Sequence, residues 1–188
     1  MRKVFVFMVL LVPVLCAGSC RRQPPQPAYR VTATVKDIMD SMVDPIADVI
    51  WNSTATIVTY AGVEERQPRT DEDWAKIRHA AITLAEATNL LIMPGRQVAK
   101  PGERSEHPGI ELQPEEIAKV IQEHPDDWVR EAHGLHDAVM ETLRAIDAKS
   151  VQGVIDGGEK LDAACEACHL DHWYPSAKKP ASAPSLRK

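Results

Sequence analysis

Phenylalanine is almost missing from this chain: Phe5 and Phe7 are the only two, and both fall in the first fifteen residues. The rest must pack with Val, Ile, Leu, Ala and Met around four tryptophans, and a core short of large flat side chains suits one that encloses a flat ligand. Basic residues are also in deficit, 22 Lys and Arg against 27 Asp and Glu. An acidic surface argues against nucleic acid as a partner and against general adhesion to anionic lipid. No strand-like alternation, no Gly-rich phosphate loop and no internal repeat can be found, which leaves helices as the building material. Cysteines number four, at 16, 20, 165 and 168.

The N-terminus begins Met1-Arg2-Lys3, continues with an apolar run over residues 4–15, and reaches Ala17-Gly18-Ser19 just before Cys20. Basic residues, a short apolar stretch and small residues before a cut describe a secretory signal peptide over residues 1–19. The run is too short to cross a bilayer comfortably, and Pro13 interrupts it. Small residues directly ahead of a cysteine resemble a bacterial lipoprotein processing site, which implies that Cys20 carries a lipid anchor and that the protein is periplasmic; a plain secreted chain is the other reading. Cutting there removes Arg2 and Lys3, leaving 20 basic residues against 27 acidic ones, a net charge of −7. Residues 20–30 hold the anchor and a proline-rich spacer, residues 31–174 a single folded domain, and residues 175–188 a low-complexity tail expected to be disordered.

Within the domain, Val35, Ile38, Met39, Met42, Ile46, Val49 and Ile50 recur at helical spacing, with a kink or restart expected at Asp44-Pro45. Thr70 or Asp71 caps the clearest helix, whose apolar face is Trp74, Ile77, Ala81, Leu84, Thr88 and Leu91, and Pro94-Gly95 ends it. Residues 94–113 are rich in proline, glycine and charge and are expected to form a long exposed connection. A short helix follows with Pro114 at its first position. A longer one after Pro125 carries Trp128, Ala132, Leu135, Val139, Leu143 and Ile146, and a last one runs from about Ser150 to Asp171. The pattern predicts an all-α fold, an antiparallel four-helix bundle.

That last helix contains Cys165-Glu166-Ala167-Cys168-His169. On a helix these two thiols and the imidazole fall within about 100° of one face. Two thiols so placed can bond covalently to a haem while the next histidine reaches its iron, which is the sense of C-x-x-C-H as a c-type haem attachment site. Ala163, Ala164 and Ala167 leave room beside the thiols. Two other readings stand beside it: a Cys165–Cys168 disulfide in a periplasmic binding or structural module, and a zinc site of Cys165, Cys168, His169 and His172. Gly157-Gly158 costs roughly 1 kcal/mol per glycine in a helix interior. The pair therefore either admits a close neighbour or marks a late helix start. His79, His133 and His136 read as solvated, and Glu123, Asp126, Asp127 and Glu131 form no acid–base pair, so no enzymatic machinery is expected.

A helical bundle with its haem motif at the C-terminal end resembles the class II c-type cytochromes, the cytochrome c prime family. Cys165, Cys168 and His169 carry the resemblance, together with "VKDIMDSMVDPIADVIW", which is similar to that family's first helix. It implies one covalent haem c, thioethers at Cys165 and Cys168, and His169 as proximal iron ligand. In low-spin relatives a first-helix methionine closes the other face of the iron, at a position matching Met39, with Met42 the second choice; other members leave that face open. The sequence departs from the family at Trp173, where a basic residue is frequent, and in the length of the 94–113 segment. The implied function is a single-electron carrier meeting a redox partner with a basic docking patch, possible as a dimer. The alternative is a five-coordinate haem protein binding nitric oxide or carbon monoxide.

Overall fold

Thr34 and Thr70 start their helices in the same way. Thr34 Oγ1 accepts from the Asp37 N–H at 3.0 Å while the Asp37 carboxylate accepts from the Thr34 N–H at 3.1 Å. Thr70 and Asp73 repeat the exchange at 3.1 and 2.9 Å. Each pair satisfies two amide donors that a helix start leaves without partners.

The computed structural model describes residues 29–177, and its elements fall in one compact unit that begins at Val31. The expected signal peptide, Cys20 and most of the expected spacer lie outside the described residues, as does the tail from residue 178. Helix α1 (Val35–Ile38) runs through a π-helical turn (Met39–Val43) into α2 (Asp44–Trp51). The α-helix thus restarts at Asp44 with Pro45 in its first turn, as expected, while the helical turns run on without a gap. Proline lacks an amide donor and crowds the carbonyl four residues back in a regular helix. Here the ladder widens just before it, and the Asp44 N–H donates to Met39 O. The extra residue shows in the burial: Ile38 and Val43, five apart, are both buried, followed by Ala47 and Ile50.

A short β-hairpin follows, contrary to the expectation of no strands. Strands β1 (Thr56–Thr59) and β2 (Gly62–Glu65) pair antiparallel with Val58 opposite Val63, and Gly62 takes φ 137° beside the turn. Its β-branched residues favour strands, but neither face is buried against a core, so no apolar alternation marks it.

Helix α3 (Asp71–Leu91) buries Trp74, Ile77, Ala81, Leu84, Thr88 and Leu91 as its periodicity predicts. Helices α4 (Pro114–Glu123), α5 (Pro125–Asp147) and α6 (Val151–His172) complete the fold, with a 3-10 turn at Pro175–Ala177 where the disordered tail was expected to begin. Within α6, Ile155 is exposed. The molecule is mostly helical, with α5 packed along α6 and α3, and α2 set against α3 and α6. Ile38, Ile50, Leu84, Ile146 and Leu161 are fully buried at its centre, each contributing about 1.5–3 kcal/mol of transfer free energy. Thr88 and Thr142 are buried too, their hydroxyls donating to Ala85 O and Ala138 O at 2.7 and 2.9 Å. Among the described residues no helix is long and apolar enough to cross a membrane.

Residues 94–113 have no regular secondary structure, but they are not simply exposed. Val98 is buried, and Gln97 O and Val98 O accept from the Val35 and Lys36 amides at 2.9 Å each. Those amides belong to the first turn of α1, which has no intrahelical acceptor to offer them. At the other end of the segment the Leu112 N–H donates to Trp173 O at 2.9 Å. The connection is a strap, tied to the start of the first helix and to the end of the last.

Candidate functional site

Gly157 and Gly158 decide how closely α6 approaches its neighbours. Both are buried; a Cβ on Gly157 would stand 2.4 Å from Thr142 Oγ1, and one on Gly158 3.1 Å from Trp51 Cδ1. Only hydrogen fits at the first, so the pair admits a close neighbour rather than marking a late start: α6 begins at Val151, with the Ser150 hydroxyl as cap.

Beyond this seam α6 carries Cys165, Cys168 and His169 along one wall of a cavity of about 420 Å³. Met39, Val43, Ala47 and Trp51 of the first helix form another wall, and Leu91 of α3, Ile117 of α4 and Trp128, Ala132 and Leu135 of α5 add to it. The strap contributes Ala99, Arg104, Glu111 and Leu112. The volume lies within the roughly 300–1,000 Å³ usual for small-molecule sites, with apolar walls and a few polar groups. Carboxylates ring it at Asp40, Asp44, Glu106, Glu111, Glu131, Asp162 and Glu166. Lys36 reaches two of them, at 2.9 Å from Asp40 and 3.0 Å from Glu106.

Both thiols are free. Burial, reinforced by the Asp162 and Asp44 carboxylates, pushes Cys165 up to about 11. Burial, with Glu131, Cys165 and Asp171, pushes Cys168 up to about 12. Thiols in that state stay protonated at neutral pH and are poor nucleophiles, unlike a redox-active pair, whose attacking thiol is lowered. Burial also lowers His169, against the upward pull of Glu166, Asp44 and Glu111, which keeps the imidazole neutral and its lone pair available.

Met39 is half-buried and lines the cavity; Met42 packs against the core but does not line it. His79 and His133 are exposed, and His136 is half-exposed beside Asp137. His172 lies outside the cavity wall: it is buried, with Nδ1 3.2 Å from Cys168 O and its ring edge-on to Trp128 at 5.2 Å. Among the described residues no three His, Cys, Asp or Glu are grouped to hold a metal ion by themselves.

Trp173 and Tyr174 belong to the site although no periodicity points to them. Their rings lie 6.4 and 5.9 Å from the His169 ring. The Tyr174 hydroxyl donates to Glu166 Oε2 at 2.7 Å, and burial followed by this bond pushes the phenol up to about 12.

No protein-family model matches the sequence, and no curated protein or solved structure is detectably similar to it.

Proposed function

We propose that this protein is an exported monohaem c-type cytochrome, a four-helix bundle of the cytochrome c prime kind, that carries single electrons. One observation carries the reading: Cys165, Cys168, His169 and Met39, three from α6 and one from the first helix, line the same apolar cavity. The circuit of packing from α2 through α3, α5 and α6 back to α2 supports the bundle.

A bound haem c supplies an iron centre that takes up and releases one electron. Cys165 and Cys168 hold it through thioether bonds, and for this their thiols must be free, as they are. His169 offers a neutral imidazole, the form that ligates metal. Met39 would offer a thioether from another wall of the same cavity, a ligand that would favour a low-spin centre with a raised potential and disfavour external ligands. Trp51, Trp128 and Leu135 give the cavity an apolar lining, and the acidic ring around it suits a partner with a basic patch. Cys20 anchors the chain to the periplasmic side of a membrane through lipid.

The test is the visible spectrum of protein made together with the c-type maturation machinery. A haem stain that survives a denaturing gel is the expected result. A colourless protein joined by a Cys165–Cys168 disulfide refutes the reading.

A further inference from the structure

A histidine that ligates a metal ordinarily donates its second ring N–H to a carboxylate, a carbonyl or a water, and that bond fixes the plane of the ring. Among the described residues no carboxylate or carbonyl accepts from a ring nitrogen of His169, whereas His172, one turn on, approaches Cys168 O through Nδ1 at 3.2 Å. What His169 has is rings. Trp173 lies with its centroid 6.4 Å away at 51°, and Tyr174 at 5.9 Å and 58°, both within the range of aromatic pairs.

Those two rings are themselves held. The Trp173 and Tyr174 amides both donate to the His169 carbonyl, at 2.7 and 2.9 Å, which curls the chain back over the histidine as α6 ends. The Tyr174 hydroxyl is tied to Glu166 at 2.7 Å, one turn before His169. The Trp173 carbonyl accepts from the Leu112 amide of the strap at 2.9 Å. The end of α6, its own preceding turn and the strap thus meet around one imidazole.

We infer that Trp173 and Tyr174 are positioning residues that set the plane of the His169 imidazole by ring packing. The inference rests on the haem reading for the identity of the metal, but not for the packing itself. Glu166 and the strap act through the two rings. This gives the long 94–113 segment a role in the site: its Leu112 end holds Trp173 in place.

The experiment compares wild type, Tyr174→Phe, Tyr174→Ala and Trp173→Leu, each matured with haem, by gel stain, ferric electron paramagnetic resonance and reduction potential. Tyr174→Phe keeps the ring but loses its tie to Glu166, and its potential and resonance should fall between those of wild type and Tyr174→Ala. Tyr174→Ala and Trp173→Leu should stain as wild type yet show a shifted potential and a broadened low-spin resonance. Stained Tyr174→Ala and Trp173→Leu proteins with wild-type resonance and potential overturn the inference. If Tyr174→Ala does not fold, Tyr174→Leu, which keeps bulk without a flat ring, is read by the same outcomes. A wild type that takes up no haem counts against the proposed function alone. The clamp is then read from nuclear magnetic resonance of the labelled His169 ring: greater ring disorder in Tyr174→Ala supports it, and equal order in both proteins overturns it.

Discussion

The indole N–H of Trp51 donates to the backbone carbonyl of Gly158 at 3.0 Å, joining the last residue of α2 to the middle of α6. The bond is possible because Gly158 has no side chain to hold the indole away. Trp51 also walls the cavity, so the contact that sets the spacing of two helices also sets the position of one cavity wall.

Glycine substitutions along this seam should therefore separate by position. Gly157→Ala places a methyl 2.4 Å from Thr142 Oγ1 and 3.0 Å from Thr142 Cβ. Overpacking of that kind costs about 1–3 kcal/mol, more than the gain of about 1 kcal/mol in helix propensity returns. Gly158→Ala should be milder, because the indole needs to yield only slightly. Gly134 in α5 has open space around its Cα, so Gly134→Ala should stabilise by about 0.5–1 kcal/mol. Urea denaturation of the three variants tests the order.

Cofactor attachment should depend on both thiols. Cys168→Ala is expected to lose or sharply weaken the haem stain of a denaturing gel, with Cys165→Ala behaving alike. Full staining of the double variant would exclude thioether attachment at this motif.

On the proposed reading, Met39 is the residue that separates electron transfer from gas binding. Wild type should show low-spin spectra with the weak near-infrared band of methionine-ligated ferric haem, and Met39→Ala should lose the band and gain carbon monoxide binding. Met42→Ala should keep the band, since Met42 does not line the cavity. A wild type that is already high-spin and binds carbon monoxide at once moves the function to the gas-binding alternative.

The cap of α3 gives a pH signature. The Arg69 and Thr70 amides, then the Thr70 hydroxyl, hold the Asp73 carboxyl below its ordinary value of 3.8. A carboxyl lowered in the folded state stabilises above its unfolded value, and that contribution fades as pH falls through the still lower folded value. Asp73→Asn should thus be less stable than wild type at pH 7, and the difference should shrink below about pH 4. Melting temperatures of the pair across that range provide the check. A gap that stays constant with pH would rule out the charge as its source.

Membrane attachment should follow Cys20. The protein is expected to partition with membranes in its native host, and Cys20→Ala to release it or block its processing. Wild type found freely soluble in the periplasm would refute the anchor.

Much of the helical architecture can be read from local spacing. The Thr70 cap, the buried face of α3 and the proline starts of α4 and α5 each depend on residues within a turn or two of one another. Cys165, Cys168 and His169 are legible for the same reason: one helical turn brings them together. The features that escape the sequence depend on distant partners. The strap reads as an exposed loop because its anchoring donors, the Val35 and Lys36 amides, lie some sixty residues earlier. Tyr174 lies five residues past His169, yet only the fold shows that its ring turns back upon that histidine. His172 reads as a possible zinc ligand beside the motif, whereas it is buried and packs edge-on against the Trp128 ring. The hairpin has no buried face to betray it. In the first helix the expected stripe of Met39, Met42, Ile46 and Val49 is only partly buried, because a strict helical period does not foresee a five-residue step.

That step makes the first helix a two-part dial. A residue added or removed within a regular helix swings everything beyond it by about 100°. The π turn at Met39–Val43 absorbs one such residue, so the facing of Val35 and Ile38 is set separately from that of Ala47, Ile50 and Trp51. Met39 sits at the joint. Deleting the exposed Ser41 would return the segment to an α-helical count and force the two halves to compete for orientation, with Trp51 held by Gly158 at one end and the Val35 amide held by the strap at the other. The aim of a single thioether into the cavity is thereby governed by chain length between two fixed points.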